Sequence, residues 1–196
     1  MLKFQKNKLD SAKEEELEII TNLRVLVEKA QEHQQPLYVC FVDFKKAIDS
    51  VPHDALWITI MDIGFRAHMV RQKAKVKTAG VVSGWLSVMK GAQQGCVLSP
   101  HLLNVLLEAV MKETIDGYTG GLRIGGRTVA ILRYADDIVL IATSQSDLQQ
   151  LVDRLDPASQ KYGLEITCNI DKTKIMATQD NIINNITING IPVAKV

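Results

Sequence analysis

The sequence lacks the features that are typical of secreted proteins, of proteins with a structural zinc site and of membrane-spanning proteins. It has only three cysteines in 196 residues, Cys40, Cys96 and Cys168, and no two of them form a CxxC pair. This scattered, odd-numbered set argues against a disulfide framework and a zinc site, and favours buried thiols in a reducing compartment. The N-terminus has no apolar secretion signal and no segment reaches 18 uncharged apolar residues. We therefore expect an intracellular protein (cytoplasm, nucleus or both) with no membrane partner.

A strong net charge is also missing. The 23 Lys and Arg residues nearly balance 22 Asp and Glu residues, which leaves a net charge of +1. Proteins that bind a polyanion usually have more basic than acidic residues. Any surface of this chain that binds nucleic acid must therefore be a small basic patch on a nearly neutral molecule. The densest basic run contains Arg66, Arg71, Lys73, Lys75 and Lys77. It is as typical of an edge strand protected by lysines as of a surface that contacts phosphates. No aromatic series is interleaved with it for base stacking.

The composition, 46% hydrophobic and 23% charged, is that of one ordinary globular domain. Periodicity predicts helices over residues 12–34, about 54–63 and 100–112, and a helix after Ser146 that Pro157 should kink or split. Strands are predicted over 37–44, 73–82, 129–134, 138–142 and within 164–177. Gly125-Gly126 and Asn189-Gly190 mark hairpin turns. This order predicts an α+β fold in which an antiparallel sheet has helices packed on one face.

Three carboxylates lie where two of these strands end. Asp136 and Asp137 separate two apolar runs, and Asp43 ends the buried strand over 37–44. Crowded carboxylates repel one another, so a site that gathers them usually holds a cation, and hard oxygen ligands suit Mg²⁺. On this pattern alone the ordinary interpretation is favoured, because Asp is also a common turn residue.

Four segments in order resemble motifs of the reverse transcriptases of LINE-type retrotransposons, which lack long terminal repeats. Residues 41–51 (FVDFKKAIDSV) are similar to the first acidic motif, and residues 91–100 (GAQQGCVLSP) to the glycine-glutamine-glycine turn. Residues 134–137 (YADD) resemble the paired-aspartate hairpin, and 164–166 with 172–174 the lysine motif. The resemblance implies a polymerase-like palm with fingers and thumb largely missing. Residues 1–196 would then be a single partial domain, with 1–35 a leading helix and 186–196 the truncated start of the primer-grip hairpin.

The resemblance also implies roles for individual residues. Asp43 and Asp136 would be the main metal ligands and Asp137 a supporting one, for two Mg²⁺ ions or for Mn²⁺ as the alternative. Lys172 would protonate the departing pyrophosphate, although a solvated lysine at a strand end is an equal interpretation. Substrate binding would fall to Phe44, Ile48, Gln94, Gly95 and Tyr134. Ile48 occupies the position at which the family usually has a phenylalanine that excludes ribonucleotides.

The implied function is that of an RNA-directed DNA polymerase palm, which extends a primer 3′-hydroxyl with dNTPs on an RNA template with a DNA primer. Without fingers or thumb, the isolated chain should be weak or inactive. The alternative is a catalytically dead retrotransposon remnant or a non-enzymatic fragment that binds nucleic acid. A palm-like nucleotidyl cyclase is disfavoured, because the glutamine-glycine turn and the lysine motif have no role in it.

Overall fold

The computed structural model of the protein describes residues 19–62, 73–75, 77–78, 80–88, 90–91, 99–166, 172–178 and 186–195. The first helix in this part of the chain, α1, covers residues 19–32. Leu26 and Ala30, one turn apart, are buried and form its apolar stripe. The helix ends as Gln34 adopts a φ of 52° and the Gln35 amide donates to the Ala30 carbonyl at 2.8 Å. The predicted helix over residues 12–34 is therefore confirmed from residue 19 onward.

The other helices of the described residues are α2 (Ala47–Ser50), α3 (His53–Asp62), α4 (Ser99–Ile115) and α5 (Gln145–Lys161). The strands are β1 (Tyr38–Val42), β2 (Lys73–Ala74), β3 (Lys77–Thr78), β4 (Val81–Val82), β5 (Leu86–Ser87), β6 (Leu122–Ile124), β7 (Arg127–Val129), β8 (Ile131–Tyr134), β9 (Asp137–Ala142), β10 (Lys174–Ala177), β11 (Thr187–Ile188), β12 (Ile191–Pro192) and β13 (Ala194–Lys195). None of the helices in the described ranges combines the length and the apolar character needed to cross a bilayer.

A five-stranded sheet in the order β13-β10-β1-β9-β8 forms the centre of the protein. Strand β1 pairs antiparallel with both β10 and β9, and Val42 lies opposite Ile138 at one end of the β1–β9 pair. The edge strand β13 runs parallel to β10. The connection over residues 178–193 is long enough for the crossover that parallel neighbours need. The predicted α+β class is confirmed, with the refinement that the sheet is mixed rather than wholly antiparallel.

Helices cover both faces of this sheet, which is a second refinement of the prediction. The larger core joins the sheet to α3, α4 and α5 through alternate residues of the central strands: Cys40, Val42, Ile138 and Leu140. The smaller core joins α1 to the opposite face through the intervening residues: Val39, Val139 and Ile141. Because successive side chains of a strand point to opposite faces, cover on both sides requires apolar residues throughout. The continuous apolar runs of β1 and β9 meet that requirement.

Pro157 does not split helix α5, so that part of the prediction was wrong. The helix is continuous from Gln145 to Lys161. Leu155 and Ser159, on either side of the proline, are both fully buried, and the Ser159 hydroxyl donates to the Leu155 carbonyl at 2.7 Å. Pro157 itself faces solvent. Burial of one helix face across this position outweighs the single backbone hydrogen bond that proline cannot make.

The two predicted hairpin turns are confirmed. Strands β6 and β7 are joined by Gly125 and Gly126, whose φ angles are 57° and 79°. Strands β11 and β12 are joined by Asn189 and Gly190, at 52° and 76°. Two successive positive φ angles define the turn that best fits the right-handed twist of antiparallel strands.

The predicted strand over residues 73–82 is instead a hairpin, so this prediction was wrong. Strand β2 pairs with β5, and β3 pairs with β4, all antiparallel. The chain reverses next to Gly80, which has a φ of 84°. The regular alternation of lysine with small or apolar residues favoured the prediction of a single strand. Gly80 is the only residue within 73–82 that strongly indicates a turn.

Candidate functional site

Asp43 is the first residue beyond β1, where the chain leaves the sheet for helix α2. The segment that follows is firmly attached, because Phe44 forms a β-bridge with Ile166 and the Lys45 amide donates to the Glu165 carbonyl at 2.8 Å. Lys46 then adopts a φ of 47° immediately before α2 begins. These contacts fix the backbone on the C-terminal side of Asp43, and its side chain is only 22% exposed.

The paired aspartates lie in the tight turn between β8 and β9. Tyr134 pairs with Asp137, so Ala135 and Asp136 form a two-residue connection. Ala135 has a φ of 48°, in the left-handed region that non-glycine residues rarely adopt. Asp136 thus occupies the turn itself, and Asp137 is the first residue of β9.

The strand register places Asp43 opposite Asp137. Val42 is paired with Ile138, and one further step along the two antiparallel strands brings residue 43 against residue 137. Directly opposed residues point to the same face of a sheet, and Tyr134 joins them there through its own pairing with Asp137. This is the face covered by α1. The side chains of Asp43 and Asp137 therefore share one face at one end of the sheet.

These side chains line a cleft of about 530 Å³ between the sheet and the start of α1. Its polar lining includes Asp43, Tyr134, Asp137 and Lys172, and its apolar lining includes Phe41 and Leu23. Asp136 lies one residue earlier, in the turn, and is not among the residues that line the cleft.

Lys172 forms an ion pair with Asp43 inside this cleft. Its Nζ lies 3.3 Å from Oδ2 and 3.5 Å from Oδ1 of the aspartate. Two carboxylates placed opposite each other on neighbouring strands repel, and the ammonium group offsets part of that repulsion. The Lys172 side chain is 60% exposed, so solvent screens the pair and its contribution to stability is small.

The donor atoms of the cleft suit a hard divalent cation, although they do not form a closed cage. Asp43 and Asp137 offer carboxylate oxygens, the ligands that Mg²⁺ prefers, and Mg²⁺ commonly uses only one or two protein carboxylates. Within the described ranges, no three His, Cys, Asp or Glu side chains converge closely enough to hold an ion. The residues fit an open site, in which water and ligand phosphate would complete the coordination.

Of the other predicted site residues, only some lie at the cleft. Tyr134 lines the cleft, whereas Phe44 is buried in the larger core, so its position supports packing rather than the predicted substrate contact. Ile48 belongs to α2, and only its backbone is described. Gln94 and Gly95 lie outside the described residues, as do Cys96 and Cys168. The remaining cysteine, Cys40, is buried as predicted, and burial raises the pKa of its thiol to about 12.

Arg133 was not identified from the sequence, and its side chain forms a hydrogen bond with the backbone of the aspartate turn. Its Nη1 donates to Asn104 Oδ1 at 3.1 Å and to the Ala135 carbonyl at 3.3 Å, and its Nη2 donates to Glu108 Oε2 at 3.1 Å. Arg133 therefore ties the turn to helix α4. Its position beside the YADD segment was the one available signal, since nothing local shows that Asn104 and Glu108 lie within reach.

The mixed sheet with helices on both faces is consistent with a partial polymerase palm. The sequence pattern of the family described as "Reverse transcriptase (RNA-dependent DNA polymerase)" matches residues 3–184, and the chain belongs to this family.

Relatives place the chain more narrowly. It is 29% identical over 152 residues to the "Retrovirus-related Pol polyprotein from type-1 retrotransposable element R2" of Nasonia vitripennis, a match covering 74% of this chain. It is 27% identical over 160 residues to the corresponding polyprotein from the type-2 element R2DM of Drosophila melanogaster, covering 78% of this chain. The matched region spans about 15% of the length of each relative. The chain is thus similar to part of the reverse transcriptase region of retrotransposons without long terminal repeats.

Solved structures agree with the fold. Apo telomerase from Candida tropicalis superposes with a TM-score of 0.60 at 18% identity, over 87% of this chain and 36% of that one. Telomerase from Candida albicans, solved in complex with a fragment of telomeric RNA, superposes with a TM-score of 0.54 at 11% identity, over 90% of this chain and 32% of that one.

Proposed function

We propose that this chain is the palm of an RNA-directed DNA polymerase that extends a primer 3′-hydroxyl with deoxynucleotides on an RNA template. The observation that carries the proposal is the opposition of Asp43 and Asp137 across β1 and β9, in a cleft beside the YADD turn. Membership of the reverse transcriptase family supports the same reaction.

In this proposal Asp43 and Asp137, together with Asp136 in the adjacent turn, hold divalent ions. Mg²⁺ is the expected ion and Mn²⁺ the alternative. A pair of such ions, when bound, activates the attacking hydroxyl and neutralises charge on the departing pyrophosphate. The chain itself positions the carboxylates: the β1–β9 register aligns Asp43 with Asp137, and Arg133 holds the turn that carries Asp136.

Lys172 has two roles in the proposal. Its contact with Asp43 supplies a positive charge to the cleft while no divalent cation is bound. Because its Nζ is held at the Asp43 carboxylate, the same ammonium group is suitably placed to donate a proton to pyrophosphate as that product leaves. The hairpin of β11 and β12 would be the start of the primer-grip region.

A second candidate is a nucleic-acid-binding remnant without catalytic activity. It is favoured by the ion pair itself, since Lys172 occupies the Asp43 carboxylate that a metal ion would need. The two candidates differ in whether divalent ions displace that lysine.

Mn²⁺ binding, followed by electron paramagnetic resonance of the free ion, separates the candidates without depending on activity. The polymerase palm predicts binding that Mg²⁺ competes away, and that Asp43→Asn or Asp137→Asn weakens at least tenfold. Asp116→Asn, a change of an exposed aspartate beyond the end of α4, is the matched control and should bind as the wild type does. Lys172→Met should tighten binding, because it removes the competing cation. A remnant would show no binding that depends on Asp43 or Asp137.

Primer extension then tests the reaction itself. With a DNA primer annealed to an RNA template, Mg²⁺ and dNTPs, extension should be lost in Asp43→Asn and retained in Asp116→Asn. Because this chain spans about 15% of the length of its relatives, we expect only weak extension by this chain. Extension that survives Asp43→Asn would contradict the proposal.

A further inference from the structure

The three residues that follow α2 bind both backbone hydrogen-bonding groups of Gly91. The Gly91 amide donates to the Val51 carbonyl at 2.9 Å. The Gly91 carbonyl lies 2.6 Å from His53 Nε2, and because a carbonyl oxygen can only accept, Nε2 carries the proton and donates. Pro52 and Lys90 form an antiparallel β-bridge beside these contacts. Two segments that are 38 residues apart along the chain are therefore joined through their backbones and through one imidazole.

Gly91 has no room for a side chain at this junction. Its φ is 78°, in the left-handed region that favours glycine. A Cβ placed on it would lie 3.0 Å from the Asp49 carbonyl oxygen and 3.3 Å from the Asp49 Cα. Because these atoms belong to the backbone, they cannot rotate away as the end of a side chain could. The two segments therefore pack backbone against backbone.

The segment that binds Gly91 is itself attached to the part of the protein that carries Asp43. The Ser50 hydroxyl donates to the Lys45 carbonyl at 3.0 Å, which holds the residues after Asp43 in a compact turn. On the other side, the Pro52 ring packs against Gly163, just beyond the end of α5, where an added Cβ would collide with the ring. The position of the Gly91 backbone is thus set relative to the aspartate cleft.

Apolar side chains shield the hydrogen bond between His53 and Gly91. Leu56, Leu102 and Leu103 line a small crevice beside it, between α3 and the start of α4. His53 itself is half-buried. A hydrogen bond from which water is largely excluded is stronger than an exposed one. We therefore expect its removal to have a measurable effect.

We propose that His53 is a positioning residue for the chain segment that begins at Gly91. Gln94 and Gly95, the substrate-binding residues that the family resemblance implies, follow Gly91 by three and four residues. By holding the Gly91 carbonyl, His53 fixes the point from which these residues extend. The inference rests on the proposed polymerase function, and it adds a side chain that controls nucleotide affinity without contacting the metal ions.

Hydrogen exchange at the Gly91 amide tests the attachment itself. His53→Asn removes the hydrogen bond, because the Asn amide nitrogen is too close to Cβ to reach the Gly91 carbonyl. His53→Gln keeps it, because the Gln amide nitrogen lies about as far from Cβ as Nε2 does. Loss of one shielded hydrogen bond should speed Gly91 exchange by about three- to tenfold in His53→Asn. Exchange should stay near the wild-type rate in His53→Gln and in the matched control His101→Asn, which changes an exposed histidine of α4.

Nucleotide kinetics test the consequence for the reaction. With oligo(dT) annealed to poly(rA) in Mg²⁺, His53→Asn should raise the KM for dTTP by about three- to tenfold and change kcat by less than about twofold. His53→Gln should restore the KM, and His101→Asn should leave it unchanged. If turnover is too slow for a KM, equilibrium binding of radiolabelled dTTP gives the same comparison. Mn²⁺ affinity should be the same in all three variants, because the aspartate ligands do not move.

Three results would overturn the inference. Unchanged Gly91 exchange in His53→Asn would show that the imidazole does not hold the segment. A destabilised His53→Asn with wild-type dTTP affinity would show that the contact serves stability alone, and weakened Mn²⁺ binding would assign the effect to the aspartate cleft. Failure of the polymerase proposal would look different: the wild type would not extend a primer and its Mn²⁺ binding would not depend on Asp137, while Gly91 exchange would still respond to His53→Asn.

Discussion

Removal of the Arg133 guanidinium should both destabilise the protein and loosen the turn that carries Asp136. The side chain is 19% exposed and donates to Asn104, to the Ala135 carbonyl and to Glu108. Arg133→Met keeps the aliphatic stem in place and removes all three hydrogen bonds. Because Arg133 lies near the end of β8 and its side chain reaches α4, we expect it to fix the turn relative to the helix layer.

The magnitude follows from the exposure of its partners. Hydrogen bonds of a charged donor contribute about 1.5–3 kcal/mol when well shielded, but Glu108 is 75% exposed and its ion pair adds at most about 1 kcal/mol. The contact with the Ala135 carbonyl, at 3.3 Å, is long. Together these considerations predict that Arg133→Met lowers the free energy of unfolding by about 2 kcal/mol.

Urea denaturation at pH 7 measures this loss. Arg123→Met changes an exposed arginine of β6 and should cost less than about 0.5 kcal/mol. A readout specific to the turn is Mn²⁺ affinity, which should fall in Arg133→Met and stay unchanged in Glu108→Gln, because Gln still accepts the hydrogen bond. If Arg133→Met were as stable as Arg123→Met and bound Mn²⁺ normally, the assignment of Arg133 as a positioning residue would be refuted.

Two further predictions concern the buried thiol of β1 and the contact between α5 and β11. Since burial raises the pKa of the Cys40 thiol from 9.0 to about 12, the unfolded chain loses this proton at lower pH than the folded protein does. Stability should therefore fall between about pH 9 and 12, by up to ~1.4 kcal/mol per pH unit from this group, and urea denaturation at several pH values should show a shallower fall in Cys40→Ala. At the hairpin of β11 and β12, Gln149 of α5 donates to the Thr187 carbonyl and accepts from its amide, both at 2.9 Å. Gln149→Leu should cost about 1–3 kcal/mol and speed hydrogen exchange at the Thr187 amide, and unchanged exchange there would contradict this docking role.

The sequence predicted best the features that are encoded locally. Apolar runs with turn residues between them located β1, β8 and β9, and hence Asp43 and the paired aspartates at their ends. The hairpins at Gly125-Gly126 and Asn189-Gly190 followed from the same short-range chemistry, since these residues accept the positive φ that the turns require.

Features that depend on contacts between distant residues could not be read from the sequence. Pro157 was predicted to kink or split α5, yet the helix continues through it, with buried residues on both sides. Lys75 and Trp85 are ten residues apart and meet only because the chain reverses beside Gly80. Local propensity does not contain such packing terms.

The detail of the site illustrates the same limit. The family resemblance makes Asp136 the main partner of Asp43, whereas the register sets Asp137 opposite Asp43. A shift of one residue in a strand moves a side chain to the other face, so pattern alone cannot assign which of two neighbouring aspartates faces the cleft. The ion pair of Lys172 with Asp43 depends equally on the docking of β10 beside β1.

Asp43 and Asp137, which two separate strands bring together, are proposed to bind one divalent cation between them. Iron-directed backbone cleavage tests it most directly: Fe²⁺ replaces Mg²⁺, and ascorbate with peroxide then generates radicals that cut the chain near the bound ion. We expect cuts near both residue 43 and residue 137, suppressed by excess Mg²⁺ and lost together in Asp137→Asn but not in Asp116→Asn. Cuts at only one of these positions, or cuts that persist in Asp137→Asn, would contradict it.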